Sequence, residues 1–265
     1  MTNRLLLTAL GAALAVSSCT KKNQEMPAPA APTTQSGPGA ITGLAQPADA
    51  LFRVSLSDNI TQQSIAGAAV DSQTGAYRLD GIPAGTYTLY FDSKYGYVRP
   101  RQQRVTVAAA KTTVVPTISV VRSTAAFTVD GAAFVPPFIN LSLGFDGKRF
   151  PSQSCFSIAL GDGPSFFPPS STYVLFLTMP YAVKVGTYPL NDALTYAIFT
   201  DVKAGTFDSR LNPASIPSGG TLTITAVENT APFPRSVSGT FSFTGTDAPT
   251  GTQRIINGTF ANAYF

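Results

Sequence analysis

From about residue 38 onward the chain reads as short runs in which apolar and polar positions alternate. Thr86, Thr88 and Tyr90 interleave with Tyr87, Leu89 and Phe91; further on, Val237, Phe241 and Phe243 fall on one face while Ser236, Ser238, Thr240, Ser242 and Thr244 fall on the other. A period of two lays one face of a strand on a core and leaves the other in water, the pattern of a half-buried antiparallel strand. The segments Asp71-Ser72-Gln73-Thr74-Gly75 and Asp80-Gly81-Ile82-Pro83-Ala84-Gly85 predict turns between such runs, because Gly supplies positive φ and Pro presets its own. Two blocks result, residues 38–122 and 123–265. In the second, strands are predicted at 125–129, 139–145, 155–160, 173–178, 194–199, 222–226, 237–243 and 255–260, with no helix of useful length competing. The expected fold class is all-β, two tandem antiparallel β-sandwich domains, the second a sandwich or barrel-like. Each block carries its own alternating strands and is expected to fold separately.

Composition supports this and removes much chemistry. Of 265 residues 44% are hydrophobic and 12% charged, with 22 Gly, 21 Pro, no His and no Trp. The absence of His takes away the usual general base at neutral pH, the Ser-His-Asp and Cys-His nucleophile systems and the commonest zinc ligand.

The N-terminus carries an address. Met1 to Arg4 holds one positive charge and Leu5 to Val16 is apolar. A ~12-residue apolar stretch is too short to cross a bilayer, which needs about 20 helical residues, so residues 1–18 read as a secretory signal peptide. Its end, Val16-Ser17-Ser18-Cys19, resembles the lipobox of bacterial lipoproteins. The resemblance implies cleavage before Cys19, diacylation of its sulfur and acylation of its new amine. Residues 19–37 then comprise the lipidated Cys19 and a flexible tether, since Pro27-Ala28-Pro29-Ala30-Ala31-Pro32 cannot bury a core and favours an extended form. At ~3 Å per residue such a tether reaches about 50 Å. Thr20 follows the Cys where an Asp would retain many Gram-negative lipoproteins in the inner membrane, and Lys21 and Lys22 come before Glu25. The expected location is the outer membrane, lipid-anchored, with the periplasmic face favoured over the cell surface. Acylation of Cys19 leaves Cys155 as the one free thiol, with no intrachain disulfide possible, and it is expected in the core of a strand.

Gly75-Ala76-Tyr77-Arg78-Leu79, then Gly81 to Leu89, Tyr95-Gly96-Tyr97 and Arg104-Val105-Thr106-Val107 together resemble the carboxypeptidase regulatory-like domain across nearly all of residues 38–122. The resemblance implies a seven-stranded sandwich of the transthyretin-like kind, related in shape to starch-binding folds, in which these residues set the fold and carry no catalysis. In the second block, Phe127-Thr128-Val129-Asp130-Gly131, Gly186-Thr187-Tyr188, Gly220 to Thr225, Ser238 to Phe243 and Ile256-Asn257-Gly258-Thr259-Phe260 look like a family of uncharacterised bacterial lipoprotein domains. That likeness implies an architecture and no chemistry.

No G-x-S-x-G elbow, P-loop, G-x-G-x-x-G, calcium loop or Cys/His zinc set is present, so no cofactor and no metal is expected. The acid pairs Asp71/Asp80 and Asp201/Asp208 have the residue types of a glycosidase but lie beside turn residues, where Asp caps its own backbone. Loss of the leader removes Arg4 and no acid, leaving 17 basic and 14 acidic residues, a mild +3. The basic cluster Lys94, Arg99, Arg101 and Arg104 is interleaved with Tyr95 and Tyr97. Read as a site, Tyr95, Tyr97, Arg99 and Arg101 are the candidate ligand-binding residues; read as a surface, they are a solvated face protecting a sheet edge. The apolar run from Gly163 to Pro169 is either an exposed binding loop or a packed connection. The function expected is that of a non-enzymatic, lipid-anchored envelope protein serving binding, adhesion or assembly, with the membrane as partner through its anchor and a glycan or envelope protein, not nucleic acid, beyond it. The alternatives are a carbohydrate-binding accessory lipoprotein and, more remotely, an acid-only hydrolase.

Overall fold

A computed structural model of the chain describes residues 37–144, 155–163, 171–191, 194–211, 219–230 and 233–264. Cys19, the tether, Pro164–Pro169 and Lys148 lie outside the described residues.

The first module contains β1 (Gly39–Gln46), β2 (Leu51–Asp58), β3 (Ser64–Ala69), β4 (Ala76–Ile82), β5 (Gly85–Ser93), β6 (Gln103–Val107), β7 (Thr112–Val114) and β8 (Ile118–Ser119). They form two four-stranded sheets. One runs β3-β2-β5-β6, entirely antiparallel; in the other, β1 pairs with β4 on one side and with β7 and β8 on the other. β7 and β8 both run parallel to β1 at successive positions, so they are one strand interrupted by Val115-Pro116-Thr117. Proline has no N–H to give a ladder, which accounts for the break. The alternation on β5 holds: Tyr87, Leu89 and Phe91 are buried in the core with Ile41, Val54, Leu56, Leu79 and Val107. The turn at 71–75 forms as expected, with Gly75 at φ +75° and a Cβ there only 2.2 Å from the Ala45 carbonyl oxygen, so conformation and space both require glycine. The turn at 80–85 is tighter than the sequence predicts. β4 runs through Asp80-Gly81-Ile82, and the reversal is confined to Pro83-Ala84, whose Pro83 carbonyl accepts the Tyr87 hydroxyl at 3.0 Å.

The second module contains β9 (Thr124–Val129), β10 (Ala132–Phe134), β11 (Phe138–Gly144), β12 (Cys155–Gly161), β13 (Tyr173–Pro180), β14 (Gly186–Pro189), β15 (Tyr196–Asp201), β16 (Gly205–Asp208), β17 (Gly220–Thr230), β18 (Phe233–Asp247) and β19 (Gln253–Tyr264), with one 3-10 turn at Ser209–Leu211. Every predicted strand is present, and β10, β14 and β16 are additional. They are short, three or four residues each, below the length at which alternation can be read.

Among the described residues all eleven strands belong to one sheet that branches at β18. This 15-residue strand pairs along one edge with β19 and along the other with β17, and its last two residues, Thr246 and Asp247, pair with Asp208 and Phe207 of β16. From β16 the order continues β15-β13-β12-β11. The two arms enclose one core. Phe127 of β9 meets Phe199 of β15 edge-on at 5.9 Å, and Phe134 meets Tyr173 of β13 at 4.9 Å. Edge-to-face aromatic pairs of this kind add roughly 0.5–1.5 kcal/mol beyond their buried area. The fold is therefore all-β and sandwich-like, and the barrel alternative for the second module is not what forms.

Gly258 on β19 sits beneath these rings. A Cβ at that position would lie 2.5 Å from the Phe127 Cβ and 2.6 Å from the Phe241 Cζ, so Gly258→Ala forces either ring to shift. The expected cost is about 1–3 kcal/mol, measured as a lower denaturation midpoint at unchanged m-value.

Candidate functional site

Tyr95, Tyr97, Arg99 and Arg101 lie between β5 and β6, and the structure turns this segment against the second module. Tyr97 points inward, 9% exposed, with its hydroxyl donating to Asp49 Oδ1 at 3.3 Å and the Arg122 guanidinium carbon 6.0 Å from its ring centroid. Burial, with the nearby Asp49 carboxylate, raises the Tyr97 phenol above its ordinary pKa. Tyr95 is 79% exposed and meets Phe138, the first residue of β11, edge-on at 5.8 Å. The two rings therefore present no common surface.

The neighbouring backbone is bound on both sides. Val98 donates to the Val121 carbonyl at 2.9 Å and Ser123 donates to the Gly96 carbonyl at 2.7 Å, fixing the connection between the modules to this turn. The Gly96 N–H donates to the Tyr264 hydroxyl oxygen at 3.0 Å. Arg235 of β18 donates from Nε and Nη2 to the Arg99 carbonyl at 2.8 and 2.6 Å, and from Nη1 to Glu228 Oε1 at 2.7 Å. Arg101 closes the set, its Nη2 3.2 Å from the same Glu228 oxygen. The Arg99 guanidinium stands 3.7 Å from Asp92. On the far side, Asn262 donates through Nδ2 to the Arg122 carbonyl at 3.1 Å. The segment that carries these candidate residues thus also lines a junction between the modules. Glu228, Arg235, Asn262 and Tyr264 complete it, and nothing local in the sequence marks them, since their partners in the first module lie more than a hundred residues away. The two hydrophobic cores share no residue, yet from Ser36 to Phe265 the chain is one compact unit.

The carboxylates are equally committed. Asp71 Oδ1 accepts the N–H groups of Gln73 and Thr74, both at 2.9 Å, and Asp201 Oδ1 those of Lys203 and Ala204 at 2.7 and 3.1 Å. Asp58 does the same for Ile60 and Thr61, and Asp130 accepts Ile255 N–H and the Arg254 guanidinium. Asp80 pairs with Arg78 at 2.8 Å. Asp208, buried, holds Arg210, whose guanidinium lies 3.9 Å from the Tyr196 ring centroid. Asp162 binds Thr172 through both backbone and hydroxyl. The acid pairs 71/80 and 201/208 therefore serve turns and local ion pairs. Among the described residues no group of three or more His, Cys, Asp or Glu is placed to hold a metal ion. Cys155 is buried in β12, 6% exposed.

An open groove of about 830 Å³ crosses β1 of the first module, lined by Leu44, Val70, Tyr77, Val114 and Pro116 among others. The Tyr77 ring lies over Gly43, whose absent side chain makes room for it, and among the described residues its buried hydroxyl has no hydrogen-bond partner; burial pushes its pKa up to about 12.

The sequence pattern of a domain of unknown function, DUF6252, matches residues 170–263. The crystal structure of a DUF3823 family protein from Bacteroides ovatus ATCC 8483 is similar at 13% identity, covering 85% of this chain and 96% of that one with a TM-score of 0.25. A second, from Parabacteroides merdae ATCC 43184, is similar at 13% identity, 83% and 96% coverage and a TM-score of 0.24. No curated protein matches the chain.

Two outcomes follow from this geometry. Removing the shared acceptor with Glu228→Ala is expected to destabilise the protein by about 1 kcal/mol, the upper end for partly exposed ion pairs, with the deficit against wild type shrinking at high salt in chemical denaturation. The backbone N–H groups holding Asp58, Asp71 and Asp130 lower the pKa of each carboxyl in the folded state. Their contribution is complete above the ordinary carboxylate range and is lost as pH falls through the lowered folded values. Thermal melts across the acid range should therefore show a falling limb that is shallower in Asp130→Asn.

Proposed function

We propose that this is a lipid-anchored, non-enzymatic protein of the bacterial envelope, held at the membrane by acylated Cys19, whose two β modules act together in binding or assembly. The observation that carries this reading is the commitment of its acids. In a chain without His, acid-base or nucleophilic catalysis would fall to carboxylates, and each carboxylate among the described residues already holds a backbone N–H, a hydroxyl or a guanidinium. The turn geometry at Asp71 and Asp201 serves folding and leaves neither poised beside a second acid across a cleft. The junction supports the second half of the reading: with Arg99, Arg101, Glu228 and Arg235 tied together, the modules present their surfaces in a fixed relation to one another.

The anchor reading rests on residues 1–22 of the sequence. Among the described residues no helix is long and apolar enough to cross a membrane, and the lipobox-like Val16-Ser17-Ser18-Cys19 supplies a different attachment. Thr20 after the Cys supports the outer membrane, and Lys21 and Lys22 support its periplasmic face.

Replacing the sulfur that carries the thioether tests this. Cys19→Ala should move the protein from the detergent phase to the aqueous phase and out of the membrane fraction; partitioning equal to wild type would end the lipoprotein reading. Protease added to intact cells should leave the wild-type protein whole, whereas release of its folded part without lysis would place it on the cell surface.

A further inference from the structure

Strands β14, β17, β18, β19 and β9 lie side by side in register, and residues directly opposite one another share a face. On the outward face this produces two rows across the strands. Thr187, Thr223, Thr240 and Thr259 form the first. Thr221, Ser242, Asn257 and Thr128 form the second. Neighbours within a row stand about 4.8 Å apart and the rows about 7 Å apart, set by strand spacing and rise. All eight are exposed or half-buried, and neither row contains a charged side chain or an aromatic ring.

A solvated surface of this chain would be expected to carry some charge, 12% of its residues being charged, and a protein–protein interface has an apolar, aromatic-rich centre. This face has neither character. Its hydroxyls associate with one another: Thr187 and Thr223 oxygens are 3.2 Å apart, and Ser242 donates to Asn257 Oδ1 at 2.5 Å, while the exposed Asn257 amide N–H groups take no partner among the described residues. Beside Asn257 the face dips into a depression of about 480 Å³. Small residues at Ala126 and Ala133 create it, and Thr128, Ser242 and Thr259 stand around it. Val135, 73% exposed, adds an apolar wall.

We propose that this face binds a neutral polysaccharide, with one sugar ring seated in the depression. Hydroxyls and a carboxamide both donate and accept, as sugar hydroxyls do. An apolar wall suits the C–H face of a pyranose, and a ligand charge would find no counter-charge in either row. The proposal rests on reading the chain as a binding protein and names its ligand class.

The test is native affinity electrophoresis of the detergent-solubilised full-length protein in gels containing mannan, laminarin, xyloglucan or amylopectin, with alginate as the charged polymer. At least one neutral polymer should retard the protein, and alginate should not. Asn257→Ala should weaken that retardation about tenfold, the effect of one lost polar contact. Thr259→Lys, which places a charge in the array on an exposed side chain, should abolish it, and Thr86→Ala on the first module should leave it unchanged. Absence of retardation by all four neutral polymers, retardation by alginate alone, or unaltered binding in both Asn257→Ala and Thr259→Lys would overturn the proposal. Membrane partitioning of Cys19→Ala is unaffected by any of these results, so failure of the ligand assignment and failure of the anchor reading are told apart.

Discussion

Strand β18 has to satisfy two different neighbours along one edge while keeping a third along the other. Its first eleven residues pair with β17, its last two with β16, and β19 follows nearly its whole length. Backbone polar groups in a core must find partners, so handing that edge from β17 to β16 is what allows a single sheet to branch into two arms without leaving a buried ladder open. Phe241 and Phe243 project from β18 into the space between the arms, where Phe127, Phe199 and Phe207 meet them. Disturbing the register of β18 would therefore misplace both the hydrogen bonds of the sheet and the rings that fill the core.

The same strand reaches the first module. Arg235 lies on β18 and Glu228 on β17, directly beside the segment that carries Arg99 and Arg101, while β19 brings Asn262 and Tyr264 to Arg122 and Gly96. Individually these contacts are weak, since most are partly exposed. Together they fix a turn, a connection and a strand end to one another, and the low charge of the chain leaves few competing partners for the guanidinium groups. A segment rich in Tyr and Arg can serve a ligand or an intramolecular contact, and here Arg101 reaches Glu228 while Tyr95 stays in solvent.

Much of this architecture was legible in the sequence. Period-two alternation on β5 and β18 gave the strands and their buried faces, because burial on one side of a pleat leaves a direct mark on residue type. The Asp-to-Gly turn at 71–75 was equally plain, since side-chain capping and positive φ act within five residues. The lipobox-like Cys19 and the absence of His are also properties of the sequence alone; the first is the basis of the proposed anchor, and the second narrows the available chemistry before any fold is considered.

Tertiary structure decided which residues meet. Tyr95 and Tyr97 are two positions apart, but Tyr97 is drawn into the core by Asp49 and Arg122 while Tyr95 stays in solvent, a difference that depends on residues about 25 to 50 positions away. The polar face of β18 was visible as Ser and Thr at every second position. That it lies in rows with Thr187, Thr223, Thr259 and Asn257, and that Ala126 and Ala133 hollow the surface beside them, follows only from pairing register. Register is set by the long-range fit of the whole sheet, so alternation within one strand fixes which side chains face outward, and the neighbours they face outward with are settled by the folded sheet.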